Sequence, residues 1–162
     1  MIMNKTLLKK ILCDDLCDKL QNYGYEFVTK ELLFYKNDAN SIYKIISFEF
    51  SKGGHLKIFA FCWVSEVQLR GYDMSDFPKD IFMVTKNRIG TKGFDKGESL
   101  WACENEKECR ESLREFTRIL DEEIIPWFNS VVTREDFVDA IQPRLKEEEY
   151  FDAMKADILN NN

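Results

Sequence analysis

The sequence is poor in the residues that most often mark a catalytic site or an irregular chain. It has one histidine, His55, and only seven glycines and three prolines among 162 residues. A Ser-His-Asp or Cys-His relay cannot form without His55, which lies beside a predicted glycine turn with no acid or nucleophile next to it. The few glycines and prolines exclude collagen-like and linker-like chains. The longest apolar run, residues 58–64, has the length of a strand and is far shorter than a membrane helix.

The composition that remains is that of a compact globule. The hydrophobic fraction is 44% and the aromatic fraction is 14%, which excludes a disordered chain. A chain of this length can bury a sizeable core without disulfides or metal. We therefore predict a single domain over residues 1–162, with an ordered core at about 5–145, a weak helix at 147–159 and a frayed tail at 160–162.

Charge and cysteine usage bear on partners and compartment. The net charge of −6, from 29 acidic and 23 basic residues, repels phosphate backbones and disfavours nucleic acid as a partner. An odd number of cysteines, five, fits reduced thiols better than a disulfide framework. Acidic residues interrupt the N-terminal segment before an apolar run develops, so we expect neither a signal peptide nor a membrane anchor. These features predict a cytoplasmic protein.

The cysteines and aspartates do not predict a metal site. Cys13 with Cys17, and Cys103 with Cys109, could in principle supply four thiolates to zinc, but neither pair lies in the Gly-rich turn of a zinc knuckle. The aspartates of residues 73–80 lack the spacing of a calcium loop. Buried thiols that behave as small hydrophobes are the simpler interpretation, and we predict neither a metal nor a cofactor.

Hydrophobic periodicity predicts an α+β fold. The order is an N-terminal helix, a four- to five-stranded and mainly antiparallel sheet, and two to three C-terminal helices packed on one face. We expect Pro126 to end the helix that begins near Glu106, a capping box at residues 133–136, and a break near Pro143. The predicted elements are a helix over 5–20, strands over 25–28, 32–35, 41–50, 56–64 and 99–103, a short element near 81–84, and helices from 106, from 133 and over 147–159.

Aromatic side chains at 59, 61 and 63 alternate along the predicted strand 56–64. Such a row could stack single-stranded nucleic acid, but it lacks interleaved basic residues after Lys57. A strand that is apolar on both sides is typical of the centre of a covered sheet. We therefore interpret the row as core.

Two segments are candidate contact sites. The loop 66–97 is rich in glycine and basic residues but lacks the ordered ending of a Walker phosphate loop. Loops on a rigid sheet commonly carry function, so this one could contact an anion or an acidic partner. The corner at residues 126–128 could present aromatic anchors to another protein. The candidate contact residues are Lys86, Arg88, Lys92, Lys96, Trp127 and Phe128.

Several short motifs resemble a group of uncharacterised bacterial domains of unknown function. Those domains have a glycine-aromatic segment, an aromatic-tyrosine strand, an apolar-Asn-Phe-Gln strand, a late tryptophan and a proline-aromatic helix end. The corresponding segments here are residues 23–25, 33–35, 45–51, Trp101 and 125–128, with Ser47 and Glu49 in place of the Asn and Gln. The resemblance implies a cytoplasmic bacterial α+β protein without known catalytic residues. Some members lie near toxin systems, which implies an immunity-like binding role.

Three classes of function remain open. A protein-binding module, immunity-like in kind, is favoured because the residues that usually carry catalysis are scarce and scattered. An enzyme or small-anion-binding protein would use the basic loop around Arg88 with nearby carboxylates in a concave pocket. A self-associating structural protein would pair an open sheet edge with its own copy.

Overall fold

A computed structural model describes residues 2–38, 41–51, 53–64, 101–140, 146–147, 149 and 151–160. The expected element near 81–84 and residues 161–162 of the expected tail at 160–162 lie outside these residues, whereas Asn160 is the last residue of the C-terminal helix. The elements are α1 (Lys5–Leu12), a π-helical turn (Cys13–Cys17), α2 (Asp18–Asn22), β1 (Glu26–Val28), β2 (Leu33–Asn37), β3 (Ile42–Ser51), β4 (His55–Val64), β5 (Trp101–Ala102), α3 (Glu106–Ile119), a second π-helical turn (Leu120–Ile124), α4 (Ile125–Ser130), α5 (Arg134–Ala140) and α6 (Phe151–Asn160).

The five strands form one antiparallel sheet in the order β1-β2-β3-β4-β5. The longest pairing joins β3 and β4, from Ile42 opposite Val64 to Ser51 opposite His55. With helices before and after this sheet, the predicted α+β class is confirmed. Among the described residues, no helix has the length and apolar character needed to cross a membrane.

Helix α3 packs on one face of the sheet through aromatic contacts. The ring centroid of Phe116 lies 5.8 Å from that of Phe48 and 6.2 Å from that of Trp101, both edge-to-face. On the opposite face, Phe61 and Trp63 are also buried. The prediction that β4 is covered on both sides is therefore confirmed, and these two rings offer no exposed stacking platform.

The N-terminal helix is continuous from Lys5 to Asn22 through the first π-helical turn. Its start is capped because the Asn4 side chain accepts a hydrogen bond from the Leu7 N–H at 2.8 Å. The apolar residues at helical spacing are fully buried, as the periodicity predicts. The π-helical turn itself has no counterpart in the sequence prediction.

The expectation that Pro126 ends the helix from Glu106 is wrong. Helical backbone continues to Ser130 through the second π-helical turn. The Ile125 N–H donates to the Leu120 carbonyl, which shifts the hydrogen-bond register just before the proline. Pro126 then lies in the first turn of α4, where a missing N–H costs little.

The predicted capping box at the start of α5 is confirmed. The Asp136 N–H donates to Thr133 Oγ1 at 3.0 Å, and the Thr133 N–H donates to Asp136 Oδ2 at 3.0 Å. Helix α5 is described up to Ala140, and Pro143 lies outside the described residues. Helix α6 confirms the C-terminal helix, which begins later than predicted.

Gly54 joins the β3–β4 turn to the segment that leads into α3. Its φ is +76°, and an added Cβ would lie 2.6 Å from Glu104 Cγ. Its carbonyl accepts a hydrogen bond from the Cys103 N–H at 2.9 Å. Of the two adjacent glycines in this turn, Gly53 and Gly54, only Gly54 has a positive φ.

Gly54→Ala should destabilise the fold by about 1–2 kcal/mol or more, since it combines a left-handed φ with a close approach. Gly53→Ala should cost less, because Gly53 has no positive φ and its nearest contact is the His55 ring at 3.3 Å. Urea unfolding of both variants measures the difference. Equal losses would contradict the role assigned to Gly54.

Candidate functional site: a charged groove between two helices

The first π-helical turn lies beside α3, and this contact builds the most distinctive charged site. Leu12, Leu16 and Cys17 point into the core, so the intervening Asp14 and Asp15 face outward. Both carboxylates lie against Arg110 on α3, although 95 residues separate Asp15 from Arg110 in the chain. The burial pattern of one helix thus places acids where the other helix presents a cation.

Three carboxylates hold the Arg110 guanidinium in place. Its Nη1 donates to Asp15 Oδ1 at 2.5 Å, and its Nη2 lies 3.3 Å from Asp14 Oδ2. Its Nε and Nη2 both donate to Glu106 Oε1, at 3.1 and 2.9 Å, one helical turn away. Since the Arg110 side chain is 27% exposed, these ion pairs remain accessible to solvent. The planar fork of arginine suits such multiple contacts better than lysine would.

A groove of about 320 Å³ opens beside this ion-pair network. It is lined by Asp15, Arg110, Leu113, Arg114 and Thr117, and we call it the Arg110 groove. The four α3 residues share one helical face because they are spaced by three and four positions. The groove therefore combines both signs of charge with one buried apolar side chain, Leu113.

Hydrogen bonds shift the pKa values of two members of the network, Asp14 and Arg110. The pKa of Asp14 is lowered by the hydrogen bonds from Lys10 and, next, from Arg110. The pKa of Arg110 is raised, first by its hydrogen bond to Glu106. Asp14 and Arg110 are therefore both charged at neutral pH and offer fixed charges for recognition.

A second charged cluster lies in the sheet, where β2 ends and β3 begins. Lys44 points to the face that α3 covers, its side chain is 2% exposed, and its Nζ donates to Asp38 Oδ2. Lys36 Nζ lies 3.5 Å from the other oxygen of Asp38, whose side chain is 30% exposed. Asp38 thus connects one buried lysine with one at the surface.

The groups around Lys44 are unsuited to acid–base chemistry at neutral pH. Cys62 is directly opposite Lys44 in the sheet register, and burial raises the pKa of its thiol to about 12. Burial also raises the pKa of the Tyr25 hydroxyl, followed by the charge of Asp38. Cys62 and Tyr25 therefore stay protonated, and we assign this cluster a structural role.

The structure describes two of the six sequence-predicted contact residues, Trp127 and Phe128, and they differ in burial. Trp127 is half-buried, whereas Phe128 is 1% exposed and stacks on Tyr25 with ring centroids 6.1 Å apart. Phe128 is a core residue, so its predicted role as a partner contact does not fit this structure. The other four candidates, Lys86, Arg88, Lys92 and Lys96, lie outside the described residues.

Sequence reasoning missed the Arg110 groove and the buried Lys44. Glu106, Arg110 and Arg114 are spaced at four residues, which reads as an ordinary solvated helix face. Lys44 shares a strand face with Ile42 and Ile46, and this break in the apolar pattern was the available signal. Among the described residues, no three His, Cys, Asp or Glu side chains group to hold a metal ion.

Comparison with known proteins finds no family model, no curated protein and no solved structure that matches this chain. The function must therefore be argued from the geometry of the site itself.

Lys44→Met should leave the free energy of unfolding nearly unchanged or raise it, because the substitution removes a buried charge. The Asp38 carboxylate that loses this partner is partly exposed to solvent and still has Lys36 nearby. Asp38→Ala should cost about 3–5 kcal/mol, because it leaves the buried ammonium unpaired. Chemical denaturation of the two variants checks this order. The reverse order would contradict a structural ion pair.

The Asp14 carboxyl should titrate below its ordinary value of 3.8. A lowered pKa in the folded state stabilises the fold above that ordinary value, and the stabilisation is lost as the pH falls through the lowered pKa. Lys10→Gln should raise this pKa, and Arg110→Gln should raise it less. NMR titration of the side-chain carboxyl measures the midpoints, with Lys155→Gln on α6 as a control. A wild-type midpoint at or above 3.8 would rule out the proposed hydrogen bonds.

Proposed function

We propose that this chain is a protein-binding module, immunity-like in kind, that contacts its partner through the Arg110 groove. The observation that carries this proposal is the Arg110 guanidinium, held by carboxylates from two helices at the mouth of an open groove.

Preorganisation supports a binding role for the groove. Ordering long charged side chains costs free energy on association, and the contacts to Asp14, Asp15 and Glu106 have already ordered Arg110. Arginine is enriched among the residues that dominate interface energetics. A groove with both signs of charge also allows a partner to be selected by complementary charges in a fixed register.

The surrounding charge favours a basic partner. Residues 106–124, which form α3 and the π-helical turn after it, contain seven acidic and four basic residues. The chain as a whole carries −6. Such a field accelerates encounter with a positively charged protein. A basic toxin-like protein fits this field, in keeping with the resemblance to domains near toxin systems.

Asp15→Lys in the groove and Asp152→Lys on α6 form a matched pair for the test. Both replace a solvent-accessible aspartate and change the net charge equally, so only the position differs. Each variant and the wild type serve as bait in an affinity pull-down from the native host, read by mass spectrometry. We expect one basic protein with the wild type and Asp152→Lys, and at least about tenfold less of it with Asp15→Lys, which is about 1.4 kcal/mol of binding free energy.

Equal recovery with both variants would contradict the groove as the contact surface. Recovery of no partner by the wild type, together with a dimeric mass by light scattering, would contradict the proposal and favour self-association. Thermal melting checks that Asp15→Lys is folded, and Asp15→Asn provides a milder change at the same site.

A further inference from the structure

Two contacts join the N-terminal helix to the helical segment after β5, one near each end of the α3 face that lines the Arg110 groove. The first is the ion pair of Asp15 with Arg110. The second is at Asp121, whose Oδ1 accepts from the Tyr23 hydroxyl at 3.0 Å and whose Oδ2 lies 2.7 Å from Lys19 Nζ. The carboxylates of Asp15 and Asp121 are therefore already paired with cations of the chain itself.

Arg114 differs from the other two arginines of α3, Arg110 and Arg118. Arg110 contacts three carboxylates, and Arg118 Nη1 lies 2.9 Å from Glu122 Oε2. Within the part of the chain that the structure describes, no carboxylate lies at ion-pair distance from Arg114. Its neighbours four residues away on either side are the other two arginines, so this row of the helix supplies no acid.

Thr117 contributes an acceptor to the groove. Its hydroxyl donates to the Leu113 carbonyl at 2.8 Å, so its proton is committed within the helix and only its oxygen is available. Most N–H groups of Arg110 are likewise directed at carboxylates. The guanidinium of Arg114 is thus the main source of free hydrogen-bond donors in the groove.

We propose that Arg114 binds an aspartate or glutamate side chain of the partner protein. A partner that covers the groove excludes water from the Arg114 guanidinium, and a charge that has lost water without gaining a counter-charge is strongly disfavoured. Since Asp15 and Asp121 are paired with Arg110 and Lys19, the partner supplies that counter-charge. This inference rests on the proposed binding function of the Arg110 groove and names the group that the groove recognises.

A carboxylate fits this position better than a phosphorylated side chain. Two parallel N–H groups of a guanidinium match the two oxygens of a carboxylate. Asp15 and Asp121 lie near the two ends of the face and the chain carries −6, so a single negative charge is repelled less than the larger charge of a phosphate group. An acidic side chain within a mainly basic partner surface gives docking a register as well as an attraction.

Arg114→Gln and Arg118→Gln form a matched pair for the test. Each removes one exposed arginine from α3 and changes the net charge equally, but of the two only Arg114 lines the groove. Titration calorimetry measures the affinity of each variant for the captured basic partner. We expect Arg114→Gln to raise the dissociation constant at least about tenfold. Arg118→Gln should change it by less than about threefold, as for an exposed ion pair.

The long-range field predicts the opposite sign. Both glutamine variants make the chain more negative, so attraction to a basic partner would by itself leave binding unchanged or tighter. A weaker complex for Arg114→Gln alone therefore reports a specific pair. Arg114→Lys should recover part of the loss, because it keeps the charge without the planar fork.

Carbodiimide coupling of the complex identifies the group that Arg114 contacts. The reagent joins an amine directly to a carboxylate, so the amine introduced by Arg114→Lys should couple to an aspartate or glutamate of the partner. Mass spectrometry of the linked peptides locates that residue. Arg118→Lys is the control and should not couple to the partner.

Loss of the partner with Asp15→Lys, together with full binding by Arg114→Gln, would overturn this inference and leave the groove as the contact surface. Equal losses with Arg114→Gln and Arg118→Gln, or no coupling of Arg114→Lys to a partner carboxylate, would also overturn it. Failure of the wild type to capture any partner would overturn the proposed function and this inference with it. Thermal melting checks that each variant is folded.

Discussion

The pairing of β3 with β4 is the constraint on which the rest of the structure depends. Ten residues of each strand are in register, and large side chains on both faces of β4 are buried. A slip by one residue would exchange the two faces, so the burial of Phe48 on one side and Phe61 on the other fixes the register. Strand β2 pairs with β3 and strand β5 pairs with β4, and α3 packs on this hairpin through the contact of Phe116 with Phe48.

The helices that carry the charged groove are positioned by this sheet. Phe116 ties α3 to the core, and the N-terminal helix packs against α3. The outward residues of the two helices then meet, and Arg110 connects them through Asp14 and Asp15. The groove is thus a by-product of core packing that is available for recognition, which agrees with a binding role on a rigid scaffold.

Local patterns were sufficient to predict most of the fold. The alternation of apolar residues predicted the long β3–β4 hairpin, and their 3.6-residue period predicted the first helix. The capping box at Thr133 was predicted from the sequence of residues 133–136. The continuation through Pro126 was not predictable in this way, because it depends on a register shift at Leu120 that no local propensity encodes. The contact between Asp15 and Arg110 joins residues far apart in sequence, so it follows only from tertiary packing.

Carboxyl labelling of the isolated chain and of its captured complex tests the central claim most directly, since it maps the contact surface without altering it. The account predicts that Asp14 and Asp15, both solvent-accessible in the free chain, are labelled much less in the complex, while Asp152 on α6 is labelled equally in both. Unchanged labelling at Asp14 and Asp15, with protection at Asp152 instead, would contradict the assignment of the Arg110 groove as the binding surface.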